Sequence, residues 1–595
     1  MKVNTIYFTF FLVVVLAMSL SHFYFWKVPL SGAPLFFFLH ALGQAFLEAG
    51  ALLLLTALLS RWTPRWLFHC FIGFSFAILL LHFVDFTVLR LTDSSISFLF
   101  KYLFGSGVSH LITTFQALNM NGTMIGLLLL SLFAIPLLGI GFYRATQSLV
   151  SWKVSLQLVA VSLAAVGLGL LGLDLLCHPF LKAPTYAKYQ KALPLGTTFW
   201  PPDSQVVALE VPFAKAREEM RVQEVLQEKQ FLAASRPNIY IFVIETLRRD
   251  YLSEQTAPHL VSFAAENLSF EESAANSSST QTSWFAIFHA DFPHHWTSMQ
   301  ESWKRGSVPL QILKSLGYKI RVYSAADLRY YHMDELLFGK GRGLIDRMEE
   351  HRSGEAYERD AKIVDLFCKD LESDEAKHGN VMLLFFDSTH SEYSLPKEFP
   401  LRFEPMAKEI DYLTVTPADI EPVKNRYRNA VAYVDSLVGQ CLTVLKKQDL
   451  YAPAIVAITG DHGEEFFEEG ALFHGTHLNR YQLSVPLFYK FQSNPWIPLG
   501  SSTTHMDIFP SILHYVTGRS DFEELFDGRS IFAPKRWGYR MACLQNGSKA
   551  PSEMIVYNEE REFRFRIEEP KRLEVLSGGL TDGDMLEPLL EREKR

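Results

Sequence analysis

The chain has 595 residues, too many for one ordinary domain, and 49% of them are hydrophobic and 14% aromatic. Its formal net charge of -8 argues against a nucleic-acid partner. The five cysteines lack the spacing of a metal site, and their odd number leaves any disulfide open.

Residues 1–177 are mostly apolar and predict a membrane domain of about five helices. A helix needs about 20 largely apolar residues to span a bilayer. The first apolar stretch is too long for a signal peptide, and no small-residue cleavage site stands out, so we expect it to be retained. The candidate spans are Ile6–Phe25, Pro34–Leu59, Leu67–Leu89, Met124–Phe142 and Val154–Leu176.

The basic residues between these spans predict the orientation of the domain. The larger group falls in tight loops on one side, which we expect to be cytoplasmic. An odd number of spans then places the C-terminal part of the chain outside the cytoplasm. The larger group is Lys2, Arg61, Arg65, Arg144 and Lys153, against Lys27, Arg90 and Lys101 on the other side.

Two acidic residues, Asp85 and Asp174, fall within or near the ends of predicted spans. An acid inside a membrane is a hint of function. A position near the end of a span suits a solvated interface equally well, so both interpretations stay open.

Residues 178–236 form a linker between the apolar part and the rest of the chain. Its first half contains five prolines and is expected to be irregular. Ala214–Ala233 then predicts a charged, amphipathic helix, which lies along the membrane surface or packs on the globular part.

Residues 237–595 alternate short apolar runs with helical patterns, which predicts an α/β fold with a mostly parallel sheet. Ligands of such sheets bind at the carboxyl ends of the strands. The apolar runs include Ile239–Ile244, Tyr318–Tyr323, Val381–Phe386 and Ala454–Thr459, and the helical patterns include Val308–Leu316, Arg359–Leu371 and Arg426–Lys446.

Polar residues that can hold a metal follow two of these runs. Asp461 and His462 come directly after a buried strand, and an Asp–His pair there can bind a divalent cation. Glu245 ends the first strand, followed by Arg248 and Asp250. Glu245 is either a metal ligand or the N-cap of the next helix.

The segment 276–283 is rich in hydroxyl groups and leads into an apolar helix, which places a hydroxyl at a helix N-terminus. Such a hydroxyl becomes a nucleophile when a base or metal activates it, and the alternative is a polar surface loop. His390 and His474 are suited to binding phosphoryl oxygens or protonating a leaving group, although a single loop histidine is usually just solvated. His289, His294 and His295 are expected at the surface or an interface near the site.

Taken together, these residues resemble the alkaline phosphatase/sulfatase superfamily. The likeness is greatest to its membrane-anchored bacterial branch, which includes lipoteichoic acid synthases, phosphoethanolamine transferases and sulfatase-like inner-membrane regulators of lipopolysaccharide. It covers about residues 237–535. Its motifs are Asn238–Thr246, the Thr282 segment, Tyr427–Asp435, Thr459–Glu464, His474–Gly475, Ser484–Leu487 and His505–Pro510.

The resemblance implies the roles of the site residues. Glu245, Asp461 and His462 would be metal ligands, and His390 and His474 would bind substrate. Thr282 would be the nucleophile and fourth ligand, because it lies in a Thr-x-Thr segment like that of the phosphoethanolamine transferases, and Thr280 is its rival.

The resemblance also implies a function. The expected protein is a zinc- or manganese-dependent transferase of a phosphoethanolamine or phosphoglycerol group. It would move this group from a phospholipid to an envelope glycolipid or polymer through a phospho-threonine, in the bacterial inner membrane with an extracytoplasmic catalytic domain. The alternatives are a hydrolase of phosphate or sulfate esters and a non-catalytic lipid-binding regulator. The Cys/Ser-x-Pro-x-Arg motif of true sulfatases is absent, which argues against sulfate-ester hydrolysis.

Overall fold

In the computed structural model the chain divides into two compact units, Met1–Val206 and Val207–Arg595. Residues 207–236, predicted as part of the linker, therefore belong to the second unit. The structure describes residues 4–25, 32–93, 96, 100, 122–147, 156–177, 193, 195, 208–210, 216–412, 415–493, 503–533, 539–545, 553–558, 560–569 and 572–577.

The first unit contains helices where the sequence predicts spans. By length and composition, and among the described residues only, α2 and α3 are long and apolar enough to cross a membrane. The apolar stretches of α1 and α5 are shorter, so the number of crossings stays a prediction. The helices are α1 (Thr5–Phe25), α2 (Ala33–Trp62), α3 (Arg65–Thr92), α4 (Gly122–Gln147) and α5 (Leu156–Cys177).

Polar side chains are buried inside this helical unit. The side chain of Asp85 is only 2% exposed. Of the two interpretations left open by the sequence, the solvated position is therefore wrong for Asp85. Its two carboxylate oxygens accept hydrogen bonds from the backbone N–H groups of Ile96 (2.9 Å) and Leu195 (2.7 Å). On α2 and α3, Glu48 and His82 form a pair at 2.7 Å that the sequence analysis did not single out. The side chain of Asp174 and most of the proline-rich linker lie outside the described residues.

The second unit is an α/β domain, as predicted. Its helices are α6 (Glu219–Glu228), α7 (Pro258–Glu266), α8 (Thr280–His289), α9 (Trp296–Ser302), α10 (Val308–Ser315), α11 (Met333–Phe338), α12 (Ala356–Asp370), α13 (Glu421–Lys447), α14 (Arg480–Leu483) and α15 (Ile508–Thr517). Its strands are β1 (Ala208–Glu210), β2 (Ile239–Ile244), β3 (Leu268–Ser269), β4 (Ser273–Ala274), β5 (Lys319–Ser324), β6 (Arg347–Glu350), β7 (Asn380–Phe386), β8 (Ile455–Gly460), β9 (Glu465–Phe466), β10 (Leu472–Phe473), β11 (Leu487–Lys490), β12 (Thr503–Thr504), β13 (Arg540–Leu544), β14 (Glu553–Tyr557), β15 (Glu562–Glu569) and β16 (Arg572–Ser577).

The main sheet has the strand order β3-β11-β8-β2-β7-β5-β6. Strands β8, β2, β7, β5 and β6 are parallel, while β11 and β3 add antiparallel pairs at one edge. The sheet is therefore mostly parallel, which confirms the prediction. Strands β2, β7 and β8 are buried along their whole length, which explains why they read as continuous apolar runs.

The register of the central strands aligns their carboxyl ends. Ile244 at the end of β2 pairs with both Phe386 of β7 and Gly460 of β8. The next residue of each strand, Glu245, Asp387 or Asp461, therefore leaves the sheet at the same level. Three carboxylates from distant parts of the sequence follow adjacent strand ends.

The second sheet, with the order β1-β16-β15-β14-β13, is antiparallel and was not predicted. Strand β1 comes from the predicted linker and pairs with β16 near the C-terminal end of the chain. The predicted amphipathic helix is observed as α6. Its side chains Val222 and Val225 are buried in the core of the second unit. Of the two predicted placements, the helix therefore has the one on the globular part.

A buried carboxylate on α13 caps the neighbouring helix α7. Asp435 accepts hydrogen bonds from the backbone N–H groups of His259 (3.2 Å) and Leu260 (2.8 Å). We predict that Asp435→Ala lowers the free energy of unfolding by about 1–3 kcal/mol, because one buried and one partly buried N–H group lose their acceptor. Denaturation of the full chain, followed by tryptophan fluorescence, measures this. Asp365→Ala, at an exposed position of α12, is the control; equal losses in the two variants would contradict the capping role.

Candidate active site

Asp461 lies at the end of β8 and is fully buried. Its Oδ1 accepts hydrogen bonds from the backbone N–H groups of Thr246 (2.9 Å) and His462 (2.8 Å). Its Oδ2 has no hydrogen-bond partner and lies 3.6 Å from His462 Nε2. A buried carboxylate oxygen without a donor is costly, and this one is suited to ligating a cation.

His462 is oriented toward the carboxylates by its own loop. Its Nδ1 lies 3.0 Å from the carbonyl oxygen of Gly463, and its Nε2 lies 3.3 Å from Glu245 Oε1. Gly463 permits this loop, because a Cβ at that position would lie 2.0 Å from the carbonyl oxygen of Tyr481.

The electrostatics of this cluster favour a cation. Burial raises the pKa of Glu245 well above its ordinary value, and the charge of Asp461 raises it further. Burial alone would lower the pKa of His462, but Asp461 and Glu245 together raise it to about 10. The two carboxylates thus hold a proton on the imidazole. A divalent cation with nitrogen and oxygen ligands satisfies the same demand for positive charge.

Thr280 is the hydroxyl that the structure brings to this cluster. It is the first residue of α8, and Ser283 N–H donates to the Ser279 carbonyl (2.9 Å) as the helix begins. The Oγ1 of Thr280 donates to Glu245 Oε1 at 3.1 Å and lies 3.1 Å from His462 Nε2.

Thr282, the preferred nucleophile of the sequence analysis, is not brought to the cluster. Its Oγ1 contacts the hydroxyl of Ser277 (2.6 Å) and donates to the carbonyl oxygen of Ser279 (3.2 Å). Each helical residue turns by about 100°, so Thr282 points about 200° away from Thr280 around the helix axis. The structure therefore brings Thr280, the rival residue, to the cluster in place of Thr282, and the identity of the nucleophile stays a prediction.

The two predicted substrate histidines lie next to each other beside the cluster. The ring centroid of His474 is 4.3 Å from that of His462 and 5.3 Å from that of His390. His390 is exposed. Possible ligand atoms of Glu245, His462 and His474 lie within 4.8 Å of one another, so His474 is also a candidate metal ligand.

Glu464 lies beside His474, although the sequence motif gave it no role. Its Oε2 lies 2.7 Å from His474 Nδ1, and its Oε1 accepts a hydrogen bond from Tyr393 (3.0 Å). Burial raises the pKa of Glu464 to about 7. Its position two residues after His462 was the signal that could have assigned it to the site.

Arg248 holds the loop that follows β8. Its guanidinium is 2% exposed and donates to the carbonyl oxygen of Glu464 (2.7 Å) and to the carboxylate of Glu468 (2.9 Å). It also forms a bidentate pair with Asp250. Arg248 and Asp250, noted after the first strand, thus support the site from behind the loop.

Three histidines at the end of α8 and just after it were expected at the surface or an interface, and none of them is fully exposed. His289 is buried, and its Nε2 lies 2.9 Å from the carbonyl oxygen of Leu336. His295 is also buried, with Nδ1 3.0 Å from Asp291 Oδ1, whereas His294 is half-buried.

The second compact unit contains a region that is similar to known proteins. Residues 237–518 match the family model described as Sulfatase. An uncharacterised protein of Haemophilus influenzae is 19% identical over 298 residues, which cover 50% of this chain and 44% of that protein. The chain thus matches less than half the length of this relative.

Two solved structures illustrate the likeness in fold. Lipooligosaccharide phosphoethanolamine transferase A (EptA), an integral membrane protein of Neisseria meningitidis, aligns with a TM-score of 0.50 at 14% identity, covering 88% of this chain and 98% of that chain. The lipoteichoic acid synthase LtaP of Listeria monocytogenes aligns with a TM-score of 0.42 at 15% identity, covering 63% and 97%. At these identities the likeness concerns the fold alone.

We predict that Glu245→Gln releases metal from the purified full-length protein, because the substitution removes a charged ligand from the cluster. Metal content after dialysis against metal-free buffer, measured by inductively coupled plasma mass spectrometry, should fall well below that of the wild type. Glu271→Gln, at an exposed position, should keep the wild-type content. Equal metal content in both variants would remove Glu245 from the ligand set.

Proposed function

We propose that the protein is a metal-dependent phosphotransferase of the bacterial cell envelope, which the match of residues 237–518 to the sulfatase family model supports. It moves a phospho-alcohol group, phosphoethanolamine or phosphoglycerol, from a phospholipid to an envelope glycolipid or polymer. Thr280 is the nucleophile. The observation that carries this proposal is the position of Thr280 Oγ1, 3.1 Å from both Glu245 Oε1 and His462 Nε2.

The choice of substrates is suggested by the relatives. The solved structures similar in fold include a phosphoethanolamine transferase embedded in a membrane and a lipoteichoic acid synthase. An apolar helical unit precedes the catalytic domain in this chain as well. A membrane-anchored enzyme meets a phospholipid donor at high effective concentration, which favours a lipid over a soluble ester as the donor.

Glu245, Asp461 and His462 are the proposed metal ligands, with Thr280 Oγ1 as the fourth and His474 as a further candidate. The Oδ2 atom of Asp461 has no hydrogen-bond partner, and the carboxylates of Glu245 and Asp461 are both buried. Both features suit a divalent cation. Oxygen and nitrogen ligands suit Zn²⁺ or Mn²⁺. When bound, such a cation lowers the cost of negative charge on the Thr280 oxygen and on the phosphoryl oxygens.

The first step forms a bond between Thr280 Oγ1 and phosphorus and breaks the bond from phosphorus to the diacylglycerol oxygen. The hydroxyl proton of Thr280 already points at Glu245 Oε1. The N-terminus of α8, where Thr280 lies, favours the negative charge of the phosphoryl group.

Glu245 Oε1 takes the proton of the Thr280 hydroxyl as the bond to phosphorus forms. The diacylglycerol oxygen needs a proton as it leaves, and His390 is the group suited to supply it. Glu464 fixes Nδ1 of His474, and burial lowers the pKa of His474 well below its ordinary value. The imidazole is therefore neutral, with Nε2 as a proton acceptor. In the second step an acceptor oxygen attacks phosphorus and gives its proton to Nε2 of His474, while the bond from phosphorus to Thr280 Oγ1 breaks and Glu245 returns the proton to Thr280. The proton on His474 then passes to the adjacent His390, which restores both rings.

We predict that Thr280→Val lowers the rate of phosphoryl transfer by about 10³-fold or more, because valine keeps the shape of threonine but lacks the attacking oxygen. The matched variant Thr282→Val should retain most of the activity, although it loses the contact with Ser277. The measurement is transfer of a radiolabelled head group from phosphatidylethanolamine or phosphatidylglycerol to isolated envelope fractions. Retained activity in Thr280→Val with loss in Thr282→Val would reverse the assignment.

We also propose that the second compact unit faces the extracytoplasmic side, as the distribution of basic residues predicts. Protease added to spheroplasts should then digest the unit from residue 207 onward, while inside-out vesicles should protect it. The fragments are followed with an antibody against the C-terminal end of the chain. Protection in spheroplasts together with digestion in inside-out vesicles would invert the topology.

A further inference from the structure

Two cysteines of the catalytic domain lie side by side on neighbouring helices. Cys368 is on α12 and Cys441 is on α13, and their thiols lie close enough to interact with each other. Cys441 is buried, whereas Cys368 is partly exposed. Neither belongs to the site described above.

The packing of α12 against α13 explains this contact. At the beginning of α12, the carbonyl oxygen of Tyr357 accepts a hydrogen bond from Tyr433 of α13 at 2.9 Å. Cys368 lies about three turns beyond Tyr357 and Cys441 about two turns beyond Tyr433. The two helices therefore run in the same direction, and their contact continues from the tyrosine pair to the cysteine pair.

We propose that Cys368 and Cys441 form a disulfide in the mature protein. The proposal rests on the extracytoplasmic position of this unit, since disulfides persist in the bacterial periplasm and outside the cell. The bond would tie α12 to α13 and close the part of the chain that contains β7 and His390. At its other end, α12 already holds this segment, because Asp360 accepts the backbone N–H groups of Asp387 (2.9 Å) and Ser388 (2.8 Å).

The chemistry requires an oxidant of the disulfide class, such as an oxidised dithiol oxidoreductase of the same compartment. The interaction with Cys441 lowers the pKa of Cys368, and burial raises that of Cys441, so the more accessible Cys368 reacts first. Its thiolate attacks one sulfur of the oxidant and forms a mixed disulfide. Cys441 Sγ then attacks Cys368 Sγ and expels the second thiol of the oxidant. The two cysteines lose two electrons and two protons, and the oxidant gains them.

Peptide mapping of the full-length protein in native membranes tests the proposal. Free thiols are blocked with N-ethylmaleimide at once, and the protein is denatured and digested with trypsin without a reductant. We expect a disulfide-linked pair of the peptides 363–369 and 429–446, which separates on reduction. Recovery of both peptides in the maleimide-labelled form would overturn the proposal.

Two cysteine variants serve as controls. Cys368→Ser should remove the linked pair and leave Cys441 as a free thiol, whereas Cys70→Ser, in α3, should keep it. Transfer activity and protease accessibility are measured in the same membranes. If both thiols are labelled although the protein is active and is digested from outside, the disulfide is overturned and the proposed function is unaffected. A linked pair in a protein without transfer activity supports the disulfide and counts against the function alone.

Discussion

The site depends on two carboxylates, Glu245 and Asp461, that are buried at the ends of adjacent parallel strands. Both cannot be ionised in a dry environment without positive charge close by. The raised pKa of His462 favours a proton on its imidazole that supplies such charge, and a divalent cation is the stronger counter-charge. The hydroxyl of Thr280 and the N-terminus of α8 face the same point. The need to balance buried negative charge thus explains why the proposed ligands, the proposed nucleophile and a helix N-terminus lie together.

The rest of the domain keeps these groups in place. The pairing of Ile244 with Phe386 and Gly460 sets the level at which each strand releases its polar residue. The hydroxyl of Thr246 donates to the carbonyl of Thr389, and Thr389 donates to the carbonyl of Glu245, so the ends of β2 and β7 are tied together. Behind β8, His505 Nε2 lies 2.8 Å from the carbonyl of Gly460. Rigid strands thus carry the ligands.

Much of this could be predicted from the sequence, because buried parallel strands read as apolar runs and ligands follow their carboxyl ends. Glu245, Asp461, His462 and His474 were brought together as expected. The structure brings Thr280 rather than Thr282 to the cluster. The sequence could not decide which of the two lies there, because the answer depends on the residue at which α8 begins, and a one-residue shift turns every side chain by about 100°. The second sheet was missed because β1 lies within the predicted linker and pairs with a strand far away in the sequence. The burial of Asp85 involves a hydrogen bond from Leu195, which is also distant in the sequence.

The central claim is that Thr280 becomes covalently phosphorylated with a donor head group. The most direct test is the intact mass of the purified full-length protein after a brief incubation with phosphatidylethanolamine or phosphatidylglycerol and Zn²⁺ or Mn²⁺, quenched with acid and followed by peptide mapping. Our account predicts a phospho-alcohol adduct on Thr280 that disappears when the acceptor is added. An unmodified protein that holds its metal while consuming the donor, or an adduct on Thr282, would contradict it.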